Sequence, residues 1–177
     1  MSQLKVNSII PVGGLPSGAN GGIIQVVQTI KKDTTSISTA ANTEVNTDST
    51  FNVSITPSTN SSKILILGYV NVSLSDDHTV SLVLRAGGST ITDGLADAAS
   101  NRTRSLSNNY VAKTWASTNI PINFLHSPAS TSQQTYSLGL RHNRTGTQSI
   151  WINRSEDNDY YYYTRGCSIL TAFEVST

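Results

Sequence analysis

Several residue classes are scarce in this sequence, and each scarcity excludes a class of protein. The chain of 177 residues has one cysteine, Cys167, which excludes an intrachain disulfide and a zinc site built from cysteines. We expect Cys167 to be a small buried residue of the last strand. No apolar run reaches the roughly 18 residues that a membrane-spanning helix needs, so we expect no membrane insertion.

Charge is scarce as well. The 12 Lys and Arg nearly balance the 11 Asp and Glu, which leaves a formal net charge of +1. The basic residues are scattered along the chain, and binding to phosphates needs a basic patch, so we expect no nucleic-acid partner.

Residues 1–5 (MSQLK) do not open the apolar segment of a signal peptide. We therefore expect synthesis in the cytoplasm of a bacterial host without export by that route.

Motifs for catalysis are missing too. The sequence has no G-x-S-x-G, no H-E-x-x-H and no phosphate-binding glycine loop that opens a helix. Residues 76–78 (DDH) lack the ligand spacing of a calcium loop, and we interpret them as a turn. We expect no enzymatic activity, no metal and no cofactor, although a glycosidase with paired carboxylates is the one enzyme class that the sequence leaves open.

What is abundant is Ser, Thr and Asn, which make up roughly a third of the chain, together with β-branched residues that favour strands. Apolar residues recur at every second position over 51–55, 80–84 and 136–140, which predicts half-buried strands. Residues 63–74 are apolar on both faces at the start, which predicts a central strand covered on both sides. About eight to ten such strands predict an all-β fold, an antiparallel β-sandwich of jelly-roll type.

One stretch of the chain is predicted to be irregular. Residues 93–108 form the longest irregular insertion, with a short helical turn over 94–99. Residues 31–49 are a polar stretch of Thr, Ser and Asn.

The first 22 residues differ from the rest of the chain. Five of the 12 glycines fall within residues 11–22, where glycine and proline together disfavour regular pairing. We predict an extended attachment arm over residues 1–22 and a sandwich head over residues 23–177. The arm contains one short strand-forming stretch, which would dock by strand addition through its apolar residues Leu4, Val6, Ile9 and Ile10.

Three segments together carry a resemblance to a known class of proteins. They are residues 4–9 (LKVNSI), residues 21–28 (GGIIQVVQ) and residues 164–175 (TRGCSILTAFEV). This arrangement resembles small fibre-like or appendage structural proteins of tailed phages of aquatic bacteria, cyanophages among them. The resemblance covers the arm, the first strand and the last strand, whereas the middle of the chain matches by strand pattern alone.

The resemblance implies a virion structural protein with an N-terminal arm and a trimeric head, and it carries no catalytic residue across. The expected partners are two further copies of the chain, other virion proteins bound through the arm, and host surface polysaccharide. Three functions remain open. The chain is a tail fibre or short appendage subunit, a capsid decoration protein that binds the head shell, or a lectin-like carbohydrate-binding module. The expected location is the virion, on its tail or on the capsid surface.

Four consecutive tyrosines form the most distinctive local feature, Tyr160, Tyr161, Tyr162 and Tyr163. In an extended segment they would place two rings on each face. Three interpretations stay open: an ordinary strand with two rings in the core and two on the rim, a subunit interface, where Tyr is enriched, and a sugar-binding surface.

Three similar tripeptides recur in predicted loops, at residues 101–103 (NRT), 143–145 (NRT) and 153–155 (NRS). One interpretation is solvated turns. The other is that the loops meet at one end of the sandwich, where Arg102, Arg144 and Arg154 would contact a sugar or polyanionic surface.

Overall fold

The computed structural model describes residues 22–47, 49–157, 159, 161 and 163–176. The predicted attachment arm, with Leu4, Val6, Ile9 and Ile10, lies outside the described residues apart from Gly22. Within the described residues the regular structure consists of twelve strands and one 3-10 turn, η1 (Thr92–Gly94). No helix there is long and apolar enough to cross a membrane. The strands are β1 (Ile23–Lys31), β2 (Thr35–Ala40), β3 (Val45–Asn46), β4 (Val53–Ile55), β5 (Lys63–Leu74), β6 (His78–Ala86), β7 (Ser89–Thr90), β8 (Ser107–Val111), β9 (Thr118–His126), β10 (Gln134–His142), β11 (Thr147–Ile152) and β12 (Ser168–Val175).

The strands form two antiparallel sheets that pack face to face. In sheet A, β5 pairs with β9 on one side and with β12 and β11, placed end to end, on the other; β1 and β2 lie outside β12 and β11. In sheet B, β10 pairs with β6; β3 and β4 flank β10, and β7 and β8 flank β6. This architecture confirms the predicted all-β sandwich.

Short strands that lie end to end can be counted as one line, which gives eight lines in chain order. Lines 1, 2, 5 and 8 are the pairs β1 and β2, β3 and β4, β7 and β8, and β11 and β12; lines 3, 4, 6 and 7 are β5, β6, β9 and β10. Sheet A then has the order 1-8-3-6 and sheet B the order 2-7-4-5. Two interlocked Greek keys give this order, since lines 1 and 8, 2 and 7, 3 and 6, and 4 and 5 are neighbours. The jelly-roll type stays a prediction, and this strand order favours it.

Alternation along the strands explains the core. The predicted inward residues of β6 and β10 are buried, as are those of residues 51–55 and one face of β5. Because side chains of a strand point alternately to the two faces, every second residue enters the space between the sheets. The core residues with no exposed surface include Phe51, Ile64, Ile66, Val70, Val72, Leu74, Val80, Leu82, Tyr136, Leu138, Leu140 and Ile150.

The polar stretch 31–49 contains β2 and β3, which pair with β11 and β10. Three predictions about secondary structure were wrong in detail. The helical turn is η1, at residues 92–94 in place of 94–99. The irregular insertion ends earlier than predicted, since β8 begins at Ser107. Cys167 precedes β12 and is partly exposed, with its Sγ 3.6 Å from Tyr69 Oη.

Candidate functional site

The outer face of sheet A is apolar over the half that contains β1, β12, β9 and the start of β5. Directly opposite residues of antiparallel strands share a face, so the register defines rows across the sheet. The first row is Val26, Phe173, Leu65 and Leu125. The second row is Gln28, Thr171, Leu67 and Asn123, and the third is Ile30, Ile169, Tyr69 and Pro121. We call these three rows the apolar face.

The matching positions of sheet B include charged side chains, in contrast to those of sheet A. Its outer face has three comparable rows: Ser81 with Arg141 and Asn108, Val83 with Gly139 and Asn46, and Arg85 with Ser137 and Thr90. A sandwich sheet with one face on the core normally has a polar outer face, and sheet B follows that rule. Sheet A departs from it, because its three rows hold no charged side chain.

The apolar face is accessible to solvent in the described structure. Val26 is 55% exposed, Ile30 46% and Leu125 47%. Four strands about 4.8 Å apart and rows spaced by two residues give a face on the order of 400 Å² once side-chain width is included. A patch of this size is in the range of the largest apolar patch on a typical monomer, and such patches are often functional.

The two edges of sheet A also differ: side chains of β8 bond to the β9 edge, whereas the β1 edge is uncharged and exposed. At the β9 edge, Pro121 has no N–H, and Ser107 Oγ and Asn109 Nδ2 of β8 donate to the carbonyls of Pro121 (2.6 Å) and Asn119 (3.2 Å). At the β1 edge, residues 23–30 carry no charge and no proline, and Ile23 and Ile24 are exposed. Natural edge strands are usually blunted by charge, proline or cover, so β1 is suited to contact another surface.

The prediction that β5 is covered on both faces holds for its second half. There the outer residues Asn71 and Ser73 are buried. Ser73 Oγ donates to the Arg154 carbonyl at 2.7 Å, and Asn153 N donates to the Asn71 carbonyl at 3.0 Å. The first half of β5 lacks such a cover among the described residues, and Leu65 and Leu67 remain partly exposed there.

A polar cleft of about 450 Å³ lies on the other side of the sandwich, between sheet B and the loop that follows η1. Its nine lining residues are four Asn, two Thr, two Ser and one Arg. The floor comes from β6 and β8, and the walls from the turns after β2 and β10 and from residues 101–105. The lining residues are Asn42, Thr79, Ser81, Asn101, Arg102, Thr103, Ser105, Asn108 and Asn143.

Hydrogen bonds hold the walls of the polar cleft in place. Asn42 has a left-handed backbone, with φ 59°, a conformation that Asn tolerates better than most residues. Its N–H donates to the His142 carbonyl at 2.7 Å, which ties it to the end of β10. Thr103 Oγ1 donates to Asn42 Oδ1 at 3.2 Å, so the two walls contact each other.

The structure separates the three predicted arginines. Arg102 lines the polar cleft, and its side chain has no hydrogen-bond or ion-pair partner among the described residues. Arg144 Nε donates to Asp76 Oδ2 at 2.7 Å. Arg154 lies over the Trp151 ring of sheet A, 5.4 Å from its centroid. The predicted cluster of three loops was therefore wrong for Arg154, whereas the loops of residues 101–103 and 143–145 do meet.

The tyrosine run is described in part, since Tyr160 and Tyr162 lie outside the described residues. Tyr161 is 78% exposed, and Tyr163 lies with Trp115 at the margin of a depression of about 430 Å³. The described residues between β11 and β12 form turns and no strand. The described part of the run is therefore not an ordinary strand; the interface and sugar-binding interpretations stay predictions.

Sequence reasoning missed most of both sites. The cleft residues Asn42, Thr79 and Asn108 come from three separate segments that only the topology brings together. The apolar face did leave a signal in the sequence, namely the apolar residues on both faces of residues 63–67. Among the described residues, no group of three or more His, Cys, Asp or Glu is placed to hold a metal ion.

Comparison with known proteins gives no family. No family model and no curated protein matches the sequence. The backbone is similar to that of the infectious bursal disease virus Gt strain, with a TM-score of 0.47 and 14% identity over 94% of this chain and 44% of that chain. A second likeness is to T=1 particles derived from infectious bursal virus, with a TM-score of 0.43 and 12% identity over 94% and 44%. The chain spans less than half of these proteins, and likenesses this weak establish no function.

Proposed function

We propose that this chain is a structural subunit of a virus particle, a homotrimeric tail fibre or short appendage subunit of a tailed phage. Its sandwich head would assemble through the apolar face, and residues 4–10 of its arm would attach it to other virion proteins. Support comes from the resemblance of the arm, the first strand and the last strand to such proteins, and from the apolar face.

The observation that carries the proposal is the contrast between the two outer faces. A face with no charged side chain gains nothing from a charged partner, whereas a second copy of the same chain offers an equally uncharged apolar surface. Interfaces between identical subunits are more apolar than other interfaces, and closed symmetric oligomers are the commonest assemblies. The occupant that we propose for the apolar face is therefore a neighbouring copy of the chain.

The position of the surface suits a ring of subunits. About 400 Å² is half of the roughly 800 Å² per partner in an interface of standard size. In a trimer each subunit contacts its two neighbours through two different patches. The apolar face of one subunit would therefore pack against the β1 edge of the next, where Ile23 and Ile24 are exposed.

We further propose that the chain has no catalytic activity, and three titratable groups of the head that make structural contacts support this. The Glu174 carboxylate accepts hydrogen bonds from Ser58, Asp76 pairs with Arg144, and His126 contacts Tyr136. A capsid decoration protein remains the second candidate, since it would need the same self-association. The polar cleft favours a carbohydrate-binding role as the third.

The test is the copy number and location of the protein on purified virions, measured by quantitative mass spectrometry and labelled-antibody imaging. A few to a few tens of copies at the tail are expected for a fibre or appendage subunit. A large excess of label over the head would make the chain a decoration protein. Absence from virions would overturn the proposal altogether.

A second experiment addresses the arm. Deleting residues 1–22 should leave a folded head that no longer joins the particle, because the docking strand is gone. A truncated protein that incorporates at the normal level would contradict this role of the arm.

A further inference from the structure

We infer that the polar cleft binds an oligosaccharide that carries carboxylate groups, with Arg102 as the residue that recognises the acid. The inference does not depend on how the subunit assembles, since the cleft lies on sheet B and the apolar face on sheet A. Monomer and oligomer would bind alike.

The first argument is the chemistry of the lining. Clefts for drug-like ligands are lined mostly by apolar and aromatic side chains, whereas eight of the nine residues here are Asn, Ser or Thr. Such a surface offers many hydrogen-bond donors and acceptors in close proximity. A sugar, with a hydroxyl on most of its carbons, is the ligand class that matches this density.

The second argument is the charge of the lining. Arg102 is the one charged residue among the nine, and no carboxylate lines the cleft. Arg85, Arg144 and Arg154 each contact a partner within the chain, whereas the Arg102 side chain has none among the described residues. A guanidinium binds a carboxylate with two parallel hydrogen bonds, so an acidic sugar is favoured over a neutral one. A nucleic acid would need several such cations.

The third argument is an exposed ring beside the cleft. Tyr110 lies directly opposite the lining residue Thr79, and Asn108 lies opposite Ser81, all on the outer face of sheet B. Tyr110 is 54% exposed. An aromatic ring packs well against the C–H face of a sugar because it combines apolar surface with a polar end.

The fourth argument is that the cleft is already formed. Its floor consists of paired strands, and the contact between Thr103 and Asn42 joins its two walls. The N–H of Arg102 donates to the Ala99 carbonyl at 3.0 Å, which closes the turn that presents the arginine. A preformed site loses little conformational entropy on binding.

The test is titration of the full-length protein with two sugars of equal length, hexagalacturonate, which bears carboxylates, and maltohexaose, which does not. Calorimetry and NMR shifts follow the binding. We expect hexagalacturonate to bind at least about tenfold more tightly, with shifts confined to cleft residues. The Arg102→Gln variant should weaken hexagalacturonate binding at least about tenfold and remove the preference.

Two further variants make the test specific. Arg144→Gln is the matched control, because Arg144 is exposed on the neighbouring loop but does not line the cleft; its affinity should stay within about twofold. Asn108→Asp places a carboxylate in the cleft at nearly constant size and should weaken hexagalacturonate binding while sparing maltohexaose. Thermal unfolding of each variant checks that it is folded.

Three results would overturn the inference. The first is no saturable binding of hexagalacturonate. The second is an equal loss of affinity in Arg102→Gln and Arg144→Gln, which would indicate general attraction of polyanions. The third is that the NMR shifts are confined to the loop that contains Tyr161 and Tyr163. Location of the protein on virions is measured separately, so failure here leaves the assembly role intact.

Discussion

Ser58 donates two hydrogen bonds, from its backbone N–H and from its hydroxyl, to the same oxygen of the Glu174 carboxylate, at 2.5 and 2.7 Å. Glu174 is 2% exposed and lies on the core side of β12, opposite Ile64. Burial raises the pKa of Glu174, but the hydrogen bonds from Ser58 and Ser62 together outweigh burial and lower it below 4.5. The turn between β4 and β5 is thereby fastened to the last strand.

This contact predicts a loss of stability in acid. Because the folded-state pKa is the lower one, the carboxylate stabilises the fold fully above its unfolded-state pKa, and this contribution is lost as the pH falls through the folded-state value. Glu174→Gln should lower the free energy of unfolding by about 1–3 kcal/mol at pH 7 and flatten its pH dependence below 4.5. Urea unfolding at several pH values measures both. Ser58→Ala, which keeps the backbone donor, should cost less; equal costs would contradict the shared role.

A second pH effect is expected nearer neutrality, from His126. Its Nδ1 lies 2.8 Å from Tyr136 Oη, and Tyr136 is fully buried. Burial lowers the pKa of His126, against a smaller opposing effect of Asp93, and burial raises the pKa of Tyr136. The imidazole is therefore neutral near pH 7, and a hydrogen bond joins its Nδ1 to the tyrosine hydroxyl.

Since the folded-state pKa of His126 is depressed, its contribution to stability is present above pH 6.5 and decreases as the pH falls through the folded-state value. The melting temperature should drop between pH 7.5 and 5.5 in wild type and change less in His126→Gln. Tyr136→Phe should cost about 1 kcal/mol at pH 7.5. His78→Gln, at the start of β6, is the matched control and should keep the wild-type pH dependence. If His126→Gln also keeps it, His126 is not its source.

The third prediction concerns a close approach of two strands at Gly68. A Cβ atom there would lie 2.0 Å from the Ile169 carbonyl oxygen, within paired backbone that cannot move aside. Gly68→Ala should therefore cost about 3 kcal/mol or more. Gly87→Ala is the control, because Gly87 also has a positive φ, 55°, but has open space around it, and it should cost about 1 kcal/mol. Chemical unfolding compares the two variants, and similar costs would contradict the steric argument.

Sequence alternation was sufficient to predict the core because apolar residues recur at every second position, as at Tyr136, Leu138 and Leu140. It failed at β2, where Ile37 is the one aliphatic residue that faces the core and pairing with β11 decides the conformation. Local propensity is weak where neighbours across a sheet decide the outcome.

The sites were harder to predict than the core for a related reason. At the start of β5 both faces are apolar, which suggests cover on both sides. The sequence does not indicate that the loop before β12 covers the outer face of the second half of β5 and not of the first half. The polar cleft depends on Asn42, Arg102 and Asn143 meeting across the ends of three connections. Beforehand, the repeated Asn-Arg-Thr tripeptide marked four of the nine lining residues, Asn101, Arg102, Thr103 and Asn143.

The fourth prediction tests the apolar face as the surface between subunits. Val26 lies in the first row of that face, opposite Phe173, and is 55% exposed. A lysine there should not disturb the fold of one subunit, because its side chain can reach solvent, but it would bury an unpaired charge in the interface. Val26→Lys should therefore shift the protein from trimer to monomer in sedimentation velocity at micromolar concentration.

The matched control for this variant is Tyr110→Lys, since Tyr110 is 54% exposed on the outer face of sheet B. It should remain trimeric, because that face is not buried between subunits in the proposed assembly.

Comparison with the chain that lacks residues 1–22 separates two possible occupants of the apolar face. If this truncated chain is still trimeric and Val26→Lys dissociates it, a neighbouring head covers the face. If truncation alone gives monomers, the arm and not the neighbouring head holds the subunits together, and our assignment of the apolar face fails.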